Sequence, residues 1–287
     1  SIKTNGWSAV DQTISEVGVF KFSAAPPAYI DSVKLGGDTE GKFWTGALGR
    51  FYPDHFVVTV GDNGNGKMAA ACNSFTYTGQ PMAYGTAPSL TIEPMNALAT
   101  PTVTTNYVGA FQMLAASGVS ITAPTADTTQ KGKDDTTFTV LAATLNAGAF
   151  ANSNGTMTYT LAAGDKYTYT REANSLIAPY TSAIGLVVTA VKDGDGVAAA
   201  TLPTLKPTGI PVRYGRARLL NANGSELLRL PLPLRLEYFS GATQGWQTDA
   251  ADTCTTIDAD DFAFAFPDGT TAKPNNLAAC ETAMTVD

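Results

Sequence analysis

Leu228-Arg229-Leu230-Pro231-Leu232-Pro233-Leu234-Arg235-Leu236-Glu237-Tyr238 places a large apolar residue at every second position. A period of two marks a β-strand with one face towards a core, because successive side chains of an extended chain point to opposite sides. Leu228, Leu230, Leu232, Leu234, Leu236 and Tyr238 are therefore expected to be buried, with Arg229, Arg235 and Glu237 solvated on the other face. Proline has no N–H to give to a ladder, so Pro231 and Pro233 put their side of the strand at an edge or a bulge. Upstream, Val212–Leu220 reads as the partner strand, and Asn221-Ala222-Asn223-Gly224 as the hairpin turn between them.

The same pattern recurs outward from this hairpin. Val17–Phe22, Phe56–Val60, Phe75–Thr78, Leu90–Ile92, Thr137–Leu141, Met157–Leu161, Tyr167–Thr170 and Leu186–Val191 are short and rich in Val, Thr, Tyr and Phe. Two of them end in clear turns, Asp62-Asn63-Gly64-Asn65-Gly66 and Asp193-Gly194-Asp195-Gly196, whose Asn and Gly residues tolerate positive φ. Many short strands at turn-limited spacing predict an all-β chain of immunoglobulin-like β-sandwich lobes, two or three in number. The polar stretch Thr125–Asp135 is the best seam between them. It gives an N-terminal lobe over 1–124 and a C-terminal lobe over 125–287.

Composition excludes several classes of function. Hydrophobic residues are 44% of the 287, enough for sizeable cores, while charged residues are only 15%. The net charge of −7 repels phosphate backbones and anionic lipid, so nucleic acid is not an expected partner. The longest apolar stretch, Phe111–Ala123, is interrupted by Gln112, Ser117, Gly118 and Ser120 and is too short to span a membrane. The start, Ser1-Ile2-Lys3-Thr4, is polar and lacks an initiating methionine, so the sequence reads as a piece of a longer polypeptide.

His55 is the one histidine, and Cys72, Cys254 and Cys280 are the three cysteines. A zinc site needs three or four His/Cys ligands at short spacing, which this set cannot supply. His55 follows Asp54 directly, and adjacent strand side chains diverge, so a structural role is expected rather than an acid-oriented base. No nucleophile elbow, P-loop or dinucleotide fingerprint is present, and no catalytic residue is assigned. Cys254 and Cys280 have pairable spacing and are the expected disulfide, leaving Cys72 as a buried thiol or one paired outside the chain. Asp193 and Asp195 alternate as calcium ligands do, as do the oxygen-bearing residues of Asp62–Asn65, but neither is followed by the acidic residue that completes an EF-hand loop. Asp258, Asp260 and Asp261 form a third acidic group. Trp246, in the glycine-rich loop that begins at Ser240, is the candidate for stacking on a sugar ring, with Trp7 and Trp44 as lesser ones. Five of the seven arginines fall between Arg213 and Arg235, either a solvated hairpin face with some paired to Glu226 or Glu237, or a basic stripe for an acidic partner or glycan acid.

Several motifs also occur together in one known family. Glu16-Val17-Gly18-Val19-Phe20, Gly49-Arg50-Phe51-Tyr52-Pro53-Asp54-His55-Phe56, Cys72-Asn73-Ser74-Phe75-Thr76-Tyr77-Thr78-Gly79-Gln80-Pro81 and Asn106-Tyr107-Val108-Gly109-Ala110-Phe111 come first. Asp193-Gly194-Asp195-Gly196-Val197, Arg213-Tyr214-Gly215-Arg216, Gly224-Ser225-Glu226-Leu227-Leu228 and Gly245-Trp246 through Asp252 to Cys254 follow in the same order. In this the chain resembles the long domain near the C-terminus of MshQ-type proteins, which are associated with biogenesis of a bacterial type IV pilus, the mannose-sensitive haemagglutinin. The resemblance implies an exported protein of the cell surface, pilus or outer membrane, acting in adhesion or pilus assembly, with pilus or cell-surface proteins as partners. It implies no enzyme and carries over no site residues. Some members have a further cysteine near the position of Cys72, where Lys67–Ala71 here has none. The reading is thus a non-enzymatic structural or interaction module without a required cofactor. A carbohydrate-binding module using loop aromatics on a surface glycan is the alternative.

Overall fold

The computed structural model describes residues 3–4, 7–8, 13–24, 43–131, 138–172, 176–225 and 228–262. Among them the chain is all-β, with short strands in several sheets and three single-turn 3-10 helices. No helix among these residues is long and apolar enough to cross a membrane. Phe111–Ala123 is instead divided between two 3-10 turns and the Val119–Thr122 strand.

A four-stranded antiparallel sheet runs Ala149–Ser153, Thr156–Thr160, Ser89–Met95, His55–Val60. Its register aligns Val58, Ile92 and Met157 in one row and Leu90 with Tyr159 in the next. These five residues are buried. Sequence alternation thus becomes rows of apolar side chains on one face, each row removed from water at roughly 25 cal/mol per Å². Asn154 and Gly155, both at positive φ, form the tight turn between the first two strands, with Ser153 opposite Thr156. A Cβ on Gly155 would fall within 2.3 Å of the Thr104 carbonyl oxygen, so only glycine fits there.

Two further three-stranded sheets close over the same core. Val119–Thr122, Leu186–Val191 and Thr204–Leu205 form one; Ala126–Lys131, Phe138–Thr144 and Lys166–Tyr169 form the other. Leu186, Val188, Val191, Leu205, Leu141, Tyr167 and Tyr169 bury their side chains in the same hydrophobic cluster as the first sheet. Strands from both sides of residue 124/125 share the four-stranded sheet, and the polar segment expected as the seam supplies the Ala126–Lys131 strand. Asp127 accounts for that polarity: it is buried and accepts hydrogen bonds from the Tyr169 hydroxyl (2.8 Å) and the Ala183 N–H (3.2 Å).

A hairpin forms, but from Gly215 onward: Val212 pairs instead with Tyr180 and Thr76, and the buried face is that of Glu237 and Phe239, with Arg235 exposed as expected. Gly215–Leu219 pairs antiparallel with Leu234–Phe239, Gly215 opposite Tyr238 and Leu219 opposite Leu234. Leu220 N–H donates to the Pro233 carbonyl (2.9 Å), and Pro233 has no N–H with which to return the bond, so the ladder stops there. The tight turn expected at 221–224 is therefore replaced by a long excursion. On it Leu228, Leu230 and Leu232 are exposed. Within the paired part Glu237 and Phe239 are buried, while Leu234, Leu236 and Tyr238 are half-buried. Periodicity identifies a two-sided strand; the side that faces protein is the one on which Phe239 meets Trp246 and Glu237 meets Arg216.

Candidate functional site at the junction of two segments

Cys72 and Phe75 exchange backbone hydrogen bonds, both 2.9 Å, across a tight turn with Asn73 at positive φ. That turn buries the Cys72 sulfur and the Phe75 ring and launches the Thr76–Tyr77 strand. Thr76–Tyr77 runs parallel to Val212–Arg213, Thr76 opposite Val212, and Thr78 N–H donates to the Arg213 carbonyl at 2.9 Å. Two stretches of chain far apart in sequence are thereby joined as neighbouring strands.

Further contacts hold this junction. Cys72 is disulfide-bonded to Cys254 across 182 residues, with Cα atoms 5.5 Å apart. The expected Cys254–Cys280 bridge is thus replaced: Cys254 has its partner, the supposed leftover Cys72 is that partner, and Cys280 lies outside the described residues. Sequence spacing favoured the shorter loop, whereas the fold carries the Cys72 turn to the segment after Trp246–Thr248. Asn73 Nδ2 donates to the Thr253 hydroxyl beside the bridge. Asp252 Oδ1 lies 3.4 Å from Cys254 Sγ and 3.7 Å from Cys72 Sγ. These three residues form the one His/Cys/Asp/Glu group of metal-binding geometry among the described residues. In the disulfide the sulfurs are not thiolates and are not metal ligands.

The Tyr77 hydroxyl donates towards both Asp249 (2.8 Å) and Asp252 (3.0 Å). Burial first, then these two carboxylates, push the Tyr77 phenol far above its ordinary pKa, so it stays a neutral donor. Burial would raise the Asp252 pKa. Hydrogen bonds from the Thr255 hydroxyl and N–H, the Cys254 N–H and Tyr77 outweigh it and hold the carboxyl below its usual range. The buried Asp249 carboxylate also takes the Arg213 guanidinium at 2.5 Å. That guanidinium lies 4.0 Å over the Phe75 ring and 5.0 Å over Tyr238, a cation held between aromatic faces. A Cβ on Gly215 would meet the Tyr77 ring at 2.5 Å, so glycine at this position lets the ring cross the hairpin.

Arg216, on the next strand, repeats the arrangement. Its Nε and Nη2 reach Glu237 Oε2 at 2.8 and 2.7 Å, and its guanidinium sits 3.8 Å over the Trp246 ring. Trp246 also packs on Phe239 and Tyr214, at 5.8 and 6.0 Å between ring centroids. The sugar-stacking candidate therefore carries an arginine on one ring face and the hydrophobic core nearby. Arg216 has the expected pairing with Glu237, and Arg213 pairs instead with Asp249; both are half-buried rather than solvated, while Arg218, Arg229 and Arg235 remain exposed. Trp7 and Trp44 lie in two-residue strands, Trp7–Ser8 and Phe43–Trp44.

The other candidates are engaged by protein groups. Asp193 is buried, accepts the Tyr107 hydroxyl at 2.7 Å, and takes the N–H groups of Asp195 and Val197, both at 2.9 Å. Asp195 is ion-paired with Arg50. The oxygen atoms expected to ligate calcium thus serve as a turn-fixing acceptor and an ion pair. Asn65 Oδ1 accepts the Lys206 N–H, and Asp258 and Asp261 cap one another across a 3-10 turn. His55 departs from expectation: Asp54 precedes the strand, so its carboxylate is free to turn back, and Oδ2 lies 2.8 Å from His55 Nδ1.

The third-domain model of DUF6701 matches residues 16–209, more than half of the chain, and the fourth-domain model matches 213–285. The chain belongs to the DUF6701 family. No curated protein and no solved structure matches it. The seam between the two DUF6701 domains falls at residues 210–212, not at 124/125, and Arg213 opens the fourth. The Cys72–Cys254 bridge and the Tyr77–Asp249–Arg213 network are therefore among the contacts by which the third and fourth DUF6701 domains hold one another, and the parallel strand pair lies at their seam.

Proposed function

We propose that this chain is a non-enzymatic structural module of an exported bacterial surface protein, associated with type IV pilus biogenesis or adhesion. The observation that carries the reading is the covalent and ionic latch between its two domains. A disulfide across 182 residues persists in oxidising compartments and suits a protein that must keep its shape outside the cell. The resemblance of its ordered motifs to MshQ-type proteins supplies the pilus association. Neighbouring carboxylates that a hydrolase would use, Asp249 and Asp252, are committed to Tyr77, Arg213 and Thr255, which supports a scaffolding role. The test is fractionation of the native protein in its source bacterium, with thiols trapped at lysis. Recovery with sheared pili or outer membrane, with Cys72 and Cys254 linked, is expected. Recovery in the cytoplasm with both thiols free would overturn the proposal.

A further inference from the structure

The excursion between the two hairpin strands leaves a strip of unusual chemistry. Leu219, Leu228, Leu230 and Leu232 are 48%, 74%, 44% and 41% exposed, four large apolar residues gathered on one hairpin. Arg218, Arg229 and Arg235 are interleaved with them and exposed. Arg218 reaches Glu237 only at 3.8 Å, and Arg229 and Arg235 have no ion-pair partner among the described residues. Three cations thus cluster on one hairpin of a chain whose net charge is −7.

The strip borders a sheet edge that no other described strand pairs with. In the sheet order, Gly215–Leu219 is outermost, beside Leu234–Phe239. Phe239 N–H donates to Tyr214 O and Leu220 N–H to Pro233 O, both 2.9 Å. Antiparallel pairing alternates, so Arg216 and Arg218 bond inward, and Ala217 and Leu219 turn their N–H and C=O groups away from the central strand. Gly215 O, also outward, is taken by Arg171 Nη2 at 2.9 Å, which marks the inner end of the free edge.

We propose that the edge at Ala217–Leu219, with its leucine and arginine strip, takes an added strand from a partner protein. That strand alternates apolar and acidic residues. Backbone groups of the edge would supply the ladder, the leucines the apolar contact, and the arginines the selection of carboxylates. A second copy of this chain is disfavoured as occupant, because antiparallel pairing of the edge with itself would set arginines against arginines. The inference deepens the structural-module reading by naming the partner's chemistry, and it is tested on the isolated protein, so its failure is separable from failure of the localisation.

A capped, fluorescein-labelled peptide of alternating leucine and glutamate is titrated with the full chain and followed by anisotropy, with a leucine–lysine peptide as control. Saturable binding of the acidic peptide, with the basic one at least about tenfold weaker, is expected. Ala217→Pro removes an outward N–H that an edge strand can lose without unfolding, and should abolish binding at an unchanged melting midpoint. Leu230→Ser with Leu232→Ser, outside the ladder, should weaken binding about tenfold, which keeps the test decisive if Ala217→Pro fails to fold. Equal binding of both peptides, no binding of either, or retention by these variants would overturn the proposal. So would slow hydrogen exchange at Ala217 and Leu219 in the isolated chain, since that would mean the chain covers its own edge.

Discussion

Removing the bridge between Cys72 and Cys254 is the most informative single perturbation. In the chain-entropy account a cross-link stabilises by restricting the unfolded chain, and with 182 residues enclosed the formula gives about 5 kcal/mol at 25 °C. That is the upper end for a disulfide, because the closed loop takes in most of the third domain and more than half of the fourth. Cys72→Ala with Cys254→Ala is the suitable variant, since Cys72 is fully buried and a serine hydroxyl there would lack a partner. Urea unfolding with intrinsic tryptophan fluorescence reports the loss. At a slope of about 2–3 kcal/mol per M, the midpoint should fall by about 2 M. Cys280→Ala should leave it in place. Proteolysis of the oxidised protein should yield one linked pair of peptides carrying Cys72 and Cys254. A linked Cys254–Cys280 pair, or a midpoint moved by Cys280→Ala and not by the double variant, would refute the reasoning.

The arginines divide in the same way. Arg213→Ala strands the buried Asp249 carboxylate and should cost about 3–5 kcal/mol in chemical denaturation, while the exposed Arg235→Ala should stay within about 0.5 kcal/mol. On the hairpin, Phe239→Ala should cost about 3–5 kcal/mol, and Leu232→Ala, at 41% exposure, well under the 2 kcal/mol at which buried leucine truncations begin. Acid should loosen the fold through Glu16 and Asp252, both held below the usual carboxylate range, Glu16 by Asn106 and Thr105 donors that outweigh its burial. A depressed folded pKa contributes stability that is complete above the unfolded value and lost as pH falls through the folded one. Melting curves from neutral pH downward should show Glu16→Gln and Asp252→Asn losing less on acidification than the parent.

Much of the fold was legible because its signals are local. Leu186–Val191 begins and ends where its alternation does, and Asp193-Gly194 stops it. The turn at 62–66 has Gly64 and Gly66 at the positive φ that its composition requires. Asn154-Gly155 carried an equally plain hairpin signal that sequence reading passed over. The inverted Leu234–Phe239 strand shows the limit of periodicity: both faces of an amphipathic strand can be filled, and burial of Glu237 depends on Arg216, twenty-one positions away. The junction was least legible. Parallel pairing of Thr76 with Val212 and bonding of Cys72 to Cys254 are non-local, and spacing favours nearer partners. Family motifs did include Cys72, Tyr77, Arg213, Asp252 and Cys254, without saying that they meet.

The long reach of the bridge also sets an order of events at birth. A chain emerging from its N-terminus exposes the Cys72 thiol 182 residues before Cys254 exists to receive it. In the finished molecule that sulfur is sealed from solvent, beneath a turn that also buries Phe75. An oxidant must therefore reach Cys72 before the third domain closes over it, or while the fourth domain docks. Once Cys254 has emerged, only 26 further positions separate it from Cys280, the competing thiol. Correct pairing is then a race between docking of the Val212–Arg213 strand on Thr76–Tyr77 and arrival of the third cysteine. The parallel strand pair, modest as a contact, ties the Cys72 turn to the chain that leads to Cys254 and so favours the native partner.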